Sequence, residues 1–215
     1  PEGTLPELDG AVAAEVTERA RALLADGPVV LRNLDGLEIL APVGLDLLGG
    51  RVVDTMDDAA VAAKDLGYPV VLKAAGRDRS AKTSAEGFAI DLEDDDAVRN
   101  AWGRMATSLG VALVPVLVQP MVGPGLDVAV RVTADIDVGP VLSIGPGGAA
   151  AAREDITDVR VLPLTDLDAG RLVAGSRLDT LLSAEARAAL EALLLQVGAL
   201  VEALPELTGL ELNPI

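Results

Sequence analysis

Apolar residues recur at helical spacing over residues 11–25, where Val12, Val16, Leu23 and Leu24 alternate with Glu15, Glu18, Arg19 and Arg21. The acids precede the arginines, the order that suits a helix dipole. The ten residues before this segment, PEGTLPELDG, have the composition of a linker. Residues 28–34 predict a short strand, and residues 37–48 a helix broken near Pro42. A strand follows at 51–54. Thr55 is then suited to N-cap a helix over 57–66, with Gly67 as its C-cap. A buried strand is expected at 70–73, another at 87–92, and a helix at 94–109. Asp94, Asp95 and Asp96 open that helix, where carboxylates favour the first turn; capping explains the trio better than a metal does.

The middle of the chain turns to strands. Residues 114–121, VPVLVQPM, form a continuous apolar run that ends at a Gly123-Pro124-Gly125 turn. Over 126–135, Val128, Val130 and Val132 alternate with Asp127, Ala129, Arg131 and Thr133. Gly139-Pro140 marks the next turn, and 141–144 a third strand. Three successive runs separated by tight turns predict one antiparallel meander. Gly145, Gly147 and Gly148, followed by four alanines, suggest a mobile loop. A fourth strand is expected at 159–162, helices at 164–174 and 183–204, and a last strand at 210–212. This order, α/β first, then antiparallel β, then helices and a strand, predicts an α+β class with two lobes.

Composition narrows the chemistry. Half of the 215 residues are apolar, yet there is one Trp, one Tyr and one Phe, so the core must be built from Val, Leu, Ile and Ala. The chain has neither cysteine nor histidine. That excludes a disulfide, a thiolate metal site, a Ser-His-Asp triad, a His-based zinc site and a phosphohistidine formed on this chain. The formal net charge of −17 and the lack of stacking aromatics argue against nucleic-acid binding. No apolar run approaches the roughly 18 residues of a membrane span, and no signal peptide is visible. With no disulfides, a cytoplasmic protein with no membrane partner is expected. The start at Pro1 without methionine and the end at ELNPI suggest a piece of a longer polypeptide.

Against the acidic background stands one basic island. In LGYPVVLKAAGRDRSAK, residues 66–82, an apolar run ends in Lys73, and Arg77, Arg79 and Lys82 follow with Asp78 as the single acid among them. Lysine at a strand end is a point charge on a rigid mount, and arginines add multidentate donors, a combination suited to phosphate. A solvated turn after a strand is the plainer meaning of such a cluster.

Four stretches in this order resemble a known family. LGYPVVLKA is similar to a strand ending in an ATP-binding lysine. VLVQPMV is similar to the strand leading into an adenine hinge. GPVLSIGPGG is similar to a strand and glycine loop that normally reads GPVL-x-x-G-x-GG, and LELNPI to a metal-site strand with an acid, an apolar residue and Asn-Pro. Together, over residues 37–215, they resemble the ATP-grasp domain of ADP-forming acyl-CoA synthetases, the group of succinyl-CoA synthetase β subunits and acetate–CoA ligases. The resemblance implies an ATP-grasp fold with two α+β lobes and a nucleotide cleft between them. Residues 1–36 would be a linker and N-terminal helix, 37–110 the small lobe and 111–215 the large lobe, truncated at its C-terminal end. It implies that Lys73 contacts the α- and β-phosphates of ATP and that Lys82 sits in the phosphate loop. Gln119, Pro120 and Met121 would form the adenine pocket, mainly through backbone and apolar contacts. Asp127 would stand where the family has Glu near the ribose or hinge. Glu211 and Asn213 would coordinate Mg2+; being two residues apart on a strand, they share a face. The implied partners are CoA-binding and phosphohistidine-bearing domains of the same or another chain.

The departures bear on activity. The acetate–CoA ligase branch has Ser-His-Lys in its phosphate loop, with the His accepting a phosphoryl group; here the tripeptide is Ser80-Ala81-Lys82. Glu86 replaces a glycine that would let the backbone approach phosphate. Ala150-Ala151-Ala152 replaces Phe-Val-Glu, while Arg160 on the next strand is kept. Loss of a nucleophile removes a covalent route entirely. Three functions stay open: a working ligase module served by a histidine on another domain; a non-catalytic sensor of nucleotide or acyl-CoA within a larger protein acetyltransferase; and a structural interaction domain. Retained Lys73, Glu211 and Asn213 argue against the last, and Ala81 and Glu86 against the first, so an ATP-grasp nucleotide-binding domain with impaired or absent ligase activity is expected.

Overall fold

The computed structural model describes residues 3–25, 27, 29, 36, 39–45, 48–75, 87–148 and 158–215. By their contacts the residues divide into two compact units. One is Leu31–Leu37 with Asp46–Gly123, and the other is Pro1–Val30, Glu38–Leu45 and Pro124–Ile215.

The unit around Asp46–Gly123 is a four-stranded antiparallel sheet with two helices. The strands are β1 (Arg51–Val53), β2 (Val70–Ala74), β3 (Phe88–Leu92) and β4 (Val116–Pro120), ordered β1-β4-β2-β3. The helices are α2 (Met56–Leu66) and α3 (Asp95–Leu109), while α1 (Gly10–Leu24) belongs to the other unit. Alternate residues of a strand face opposite sides of its sheet. Val70, Leu72 and Ala74 of β2, with Val116 and Val118 of β4, therefore share one face. They are buried with Ala59, Ala62 and Ala63 of α2 and with Val98, Ala101, Trp102 and Met105 of α3. The alanines of α2 give a helix surface that can lie close on the sheet. Full burial of a side chain such as Leu72 contributes about 1.5–3 kcal/mol. Thr55 and Asp94 cap the two helices, accepting from Asp58 N and Ala97 N. Arg99 ties them together through Asp57 at 2.6 Å and Asp95 at 2.7 Å. The acidic trio thus does structural work, as its position at a helix start implied.

The β2–β3 register shifts between Val70 and Leu72: Val70 faces Leu92, while Leu72 faces Ala89. One extra residue on β3 makes a bulge, and Asp91 there has φ of 56°. The bulge turns Leu92 into the core and leaves Ile90 exposed.

The other unit is built on β5 (Val128–Asp135), β6 (Gly139–Pro146), β7 (Asp158–Val161) and β8 (Gly209–Leu212), ordered β7-β6-β5-β8 and antiparallel throughout. Its helices are α1 (Gly10–Leu24), α4 (Asp166–Gly175) and α5 (Ala184–Ala203). Val128, Val130 and Val132 of β5 share a buried face with Leu142 and Ile144 of β6 and Leu212 of β8. Leu190, Leu194, Val197 and Leu200 of α5 are buried in the same unit, where Gly198 leaves room for Leu164. The β5–β6 hairpin turns through Ile136-Asp137-Val138, with Asp135 Oδ1 accepting from Asp137 N at 2.9 Å and Val138 N at 3.1 Å. Gly139, at φ of 85°, supplies the left-handed residue that such a three-residue turn requires.

Two expectations are corrected. The 114–121 run is not part of the meander with the next two strands. Both edges of β4 are already taken, by β1 and β2, so it has no edge left for β5; the meander is β5-β6-β7. By contacts, β4 stays with the unit that ends at Gly123. The N-terminal stretch is not a tether apart from the lobes either. Thr4 N donates to Asp166 Oδ1 at 2.7 Å, Asp166 N donates to Thr4 O at 3.0 Å, and Val16 of α1 is fully buried. Where a helix broken near Pro42 was expected over 37–48, Ile39 and Leu40 are helical and run into a 3-10 turn, Ala41–Val43, with Pro42 in it. The 28–34 strand lies mostly outside the described residues.

Candidate functional site

Lys73 occupies the face of β2 turned away from α2 and α3. Register places it opposite Leu117 of β4 and Phe88 of β3, and places Val71 opposite Gln119. Opposed residues share a face, so Lys73, Val71, Leu117 and Gln119 lie together. Lys73 is half-buried, and burial pulls its ammonium below the ordinary lysine value of 10.5. Among the described residues no carboxylate pairs with it. A partly desolvated cation without a counter-ion is a ready partner for an anion.

Gln119 is almost fully buried, and its Nε2 donates to Leu48 O at 2.8 Å. Its amide thus ties the segment before β1 down over β4. Gly50 in that segment runs so close that a Cβ would stand 2.5 Å from Val118 O. Met121 N donates to Pro69 O at 2.9 Å, and Met121 Sδ accepts from Asp91 N at 3.3 Å. Gln119, Pro120 and Met121 are therefore held at the end of β4 by both neighbouring segments.

In the other unit, the sheet brings Asp127, Glu211 and Asn213 together. Glu211 of β8 faces Arg131 of β5, whose Nε donates to Glu211 Oε1 at 3.1 Å. Asn213 Nδ2 donates to that same oxygen at 3.2 Å, and Asn213 Oδ1 accepts from Gly148 N at 2.8 Å. Asp127 lies against the same loop: its carbonyl accepts from Gly147 N at 2.7 Å, and a Cβ on Gly148 would fall 2.2 Å from Asp127 Oδ2. Gly147 packs on the Val128 backbone so tightly that a Cβ would meet it at 2.7 Å. Gly148 has φ of 56°. Both glycines are thus needed for the loop to cross the carboxylates. The pairing of Ile215 with Val128, N–H to carbonyl in both directions at 2.9 and 3.2 Å, fixes the chain just past Asn213.

Lys73, Gln119, Pro120 and Met121 thus fall in one unit, and Asp127, Glu211 and Asn213 in the other. Lys82 lies outside the described residues, as do Arg77, Arg79, Ala81, Glu86 and 150–152. The sequence reading missed Arg131. Its signal was there, the one basic residue on the polar side of the β5 alternation, between Asp127 and Asp135. An aliphatic recess of about 300 Å3, lined by Leu8, Val12, Pro42, Val43 and Leu195 among others, shares no residue with either group. Asp9 beside it caps α1 through Ala11 N. Among the described residues no three acids converge on one point, and no helix is long and apolar enough to cross a membrane.

A family model of the ATP-grasp domain matches residues 22–215. The chain belongs to the ATP-grasp family. It is 26% identical to the β subunit of acetate–CoA ligase (ADP-forming) II of Pyrococcus furiosus, over 90% of this chain and 87% of the subunit. It is 29% identical to a trans-feruloyl-CoA synthase from an unspecified prokaryote, over 94% of this chain but 32% of that protein. The chain thus spans about a third of that synthase and most of the separate β subunit. An acetyl-coenzyme A synthetase of Korarchaeum cryptofilum superposes with a TM-score of 0.79 at 23% identity, over 91% of this chain and 92% of that one, a likeness of fold. That structure is a complex with coenzyme A and Ca-AMPCP. Another of the same enzyme holds Mg-AMPPCP, with its phosphohistidine segment pointing towards the nucleotide site. The relatives thus include ADP-forming acetate–CoA ligases, and structures of the same fold hold ATP analogues with a divalent cation.

Proposed function

We propose that this chain is the ATP-binding domain of an ADP-forming acid–CoA ligase system whose phosphoryl acceptor lies on another domain. The observation that carries the reading is Lys73, a half-buried cation with no carboxylate partner among the described residues, on the sheet face it shares with Gln119. Its charge would engage the α- and β-phosphates. Met121 spends its N–H on Pro69, so adenine would be met by its carbonyl and side chain together with Pro120. Asp127 would lie near the ribose, and Lys82 near the terminal phosphates.

Glu211 and Asn213 offer hard oxygen donors on one side of β8, which suits magnesium when the nucleotide phosphates and water supply the remaining ligands. An ion bound there would add its charge to that of Arg131, which already pairs with Glu211. The whole reaction would be acid, CoA and ATP to acyl-CoA, ADP and phosphate. CoA- and acyl-binding would be contributed by partner domains, as would the histidine, because this chain has none.

Calorimetry of ATP with magnesium tests the reading. Lys73→Ala should weaken binding about tenfold or more, since a charge-assisted hydrogen bond contributes on the order of 1.5–3 kcal/mol. Equal, negligible heat for wild type and variant at millimolar nucleotide would sink it. A second reading, a nucleotide sensor without turnover, is favoured by Ala81 and by the alanines at 150–152. ADP release on adding a histidine-bearing partner domain with CoA and acid decides between the two.

A further inference from the structure

The open face of the β5-β6-β8 ladder carries a fixed positive charge beside the carboxylate offered to magnesium. Arg131 stands opposite Glu211 on one side and Ser143 on the other. Glu211 Oε1 is held by two nitrogen donors, Arg131 Nε at 3.1 Å and Asn213 Nδ2 at 3.2 Å. Asn213 Oδ1 is held by Gly148 N–H at 2.8 Å. Each side chain of the pair thus already has an oxygen engaged by N–H groups.

A guanidinium keeps its charge at any pH the fold survives. A divalent ion reaching Glu211 Oε1 would have to displace it, because two cations sharing one carboxylate repel each other. As a plain surface ion pair the contact would contribute little, for the Glu211 side chain is 53% exposed. Only the Nε–H of Arg131 is spent on Glu211. The two Nη groups carry four further N–H donors, in the planar fork that fits two oxygens of a phosphate.

We propose that Arg131 bridges Glu211 and the phosphates in place of a metal ion, masking the carboxylate and donating hydrogen bonds to phosphate, so that the site binds a nucleoside polyphosphate with little dependence on divalent metal. This rests on the nucleotide reading above and goes beyond it. Arg131 cancels the charge of Glu211, which would otherwise repel phosphate, and turns its free donors to the phosphate oxygens.

The test is calorimetric titration of ATP into the 215-residue chain, once with EDTA and once with excess magnesium, for wild type, Arg131→Ala and Arg131→Lys. Wild-type affinity should differ by less than about threefold between the two conditions. Arg131→Ala should lose about tenfold or more of its metal-free affinity and become magnesium-dependent. Arg131→Lys, which keeps the charge without the fork, should retain part of the metal-free binding. Wild type that binds only with magnesium, beside an Arg131→Ala variant that binds magnesium-ATP equally well, would overturn the role of Arg131 and leave the nucleotide reading standing. No heat from wild type in either condition would overturn both.

Discussion

Lys73 holds its charge against the fold. Burial lowers its pKa from 10.5, so the folded state carries a penalty that is present in full below the lowered value. The penalty is relieved as pH rises from there to 10.5, because the neutral amine is then equally at home folded or unfolded. Lys73→Met should therefore raise the melting temperature at neutral pH while weakening ATP binding about tenfold or more, a pairing seen by calorimetry alongside thermal denaturation. A structural lysine would lose stability without loss of binding. The opposite holds for Gly147, whose Cβ would meet the Val128 backbone at 2.7 Å. Gly147→Ala should destabilise by about 1–3 kcal/mol in a denaturant titration, as overpacking does. At this scale the sequence showed which residues carry charge but not what each one touches. Glu211 and Asn213 were legible as a pair two apart on a strand. Arg131 was not legible as their neighbour, because its contact spans 80 positions and depends on which strand lies beside β5.

The elements were more legible, because caps and periodicity are local. Thr55, Asp94 and Ser183 each cap a helix through a backbone N–H three residues on. Those are the residue types that compete with the backbone and so collect at helix starts. In α4 the cap is reciprocal: Thr165 Oγ1 accepts from Asp168 N at 3.2 Å, and Asp168 Oδ2 accepts from Thr165 N at 3.1 Å. Hydrogen bonds from the Thr165 side chain, then from its backbone, hold the Asp168 carboxyl below its ordinary 3.8. That contribution is present above 3.8 and is lost as pH falls through the lowered value. Thr165→Ala should cost about 1 kcal/mol at neutral pH and flatten the acid side of the stability curve, measured by urea titration at several pH values. Strand pairing was the weak point. Residues 114–121 and 126–135 are both apolar runs flanking a Gly-Pro-Gly turn, the pattern of a hairpin. What decides otherwise is that β1 and β2 hold both edges of β4, and edge occupancy is not written in local sequence.

At the scale of the molecule, ligand binding and stability are linked. ATP at a hundredfold excess over its Kd should add about 2.7 kcal/mol, which for a chain of this size is a rise of roughly 5–10 °C in Tm. A Tm indifferent to nucleotide would count against the proposed function. Incubation with labelled ATP should leave no acid-labile phosphate on the chain, which has no histidine to carry it. The two-lobed class was legible from the order of elements. The family was legible from four motifs that no single element supplies.

The ladder of β5 also dictates an order of events in folding. Its β6 edge closes through a three-residue turn, with Asp135 facing Gly139 at the near end. Its β8 edge brings Arg131 to a residue 80 positions away, past two helices. Loop closure over that distance loses more chain entropy and is slow to be rewarded. The hairpin therefore forms early and β8 docks late. Substitutions such as Val132→Ala and Leu142→Ala should show φ-values of about 0.5–0.8, and Leu212→Ala about 0–0.3. A chain caught between those steps has its hairpin complete and no carboxylate beside its arginine. If that pair serves nucleotide as proposed, the capacity to hold it would be acquired in the final step of folding and be the first thing surrendered when the unit opens.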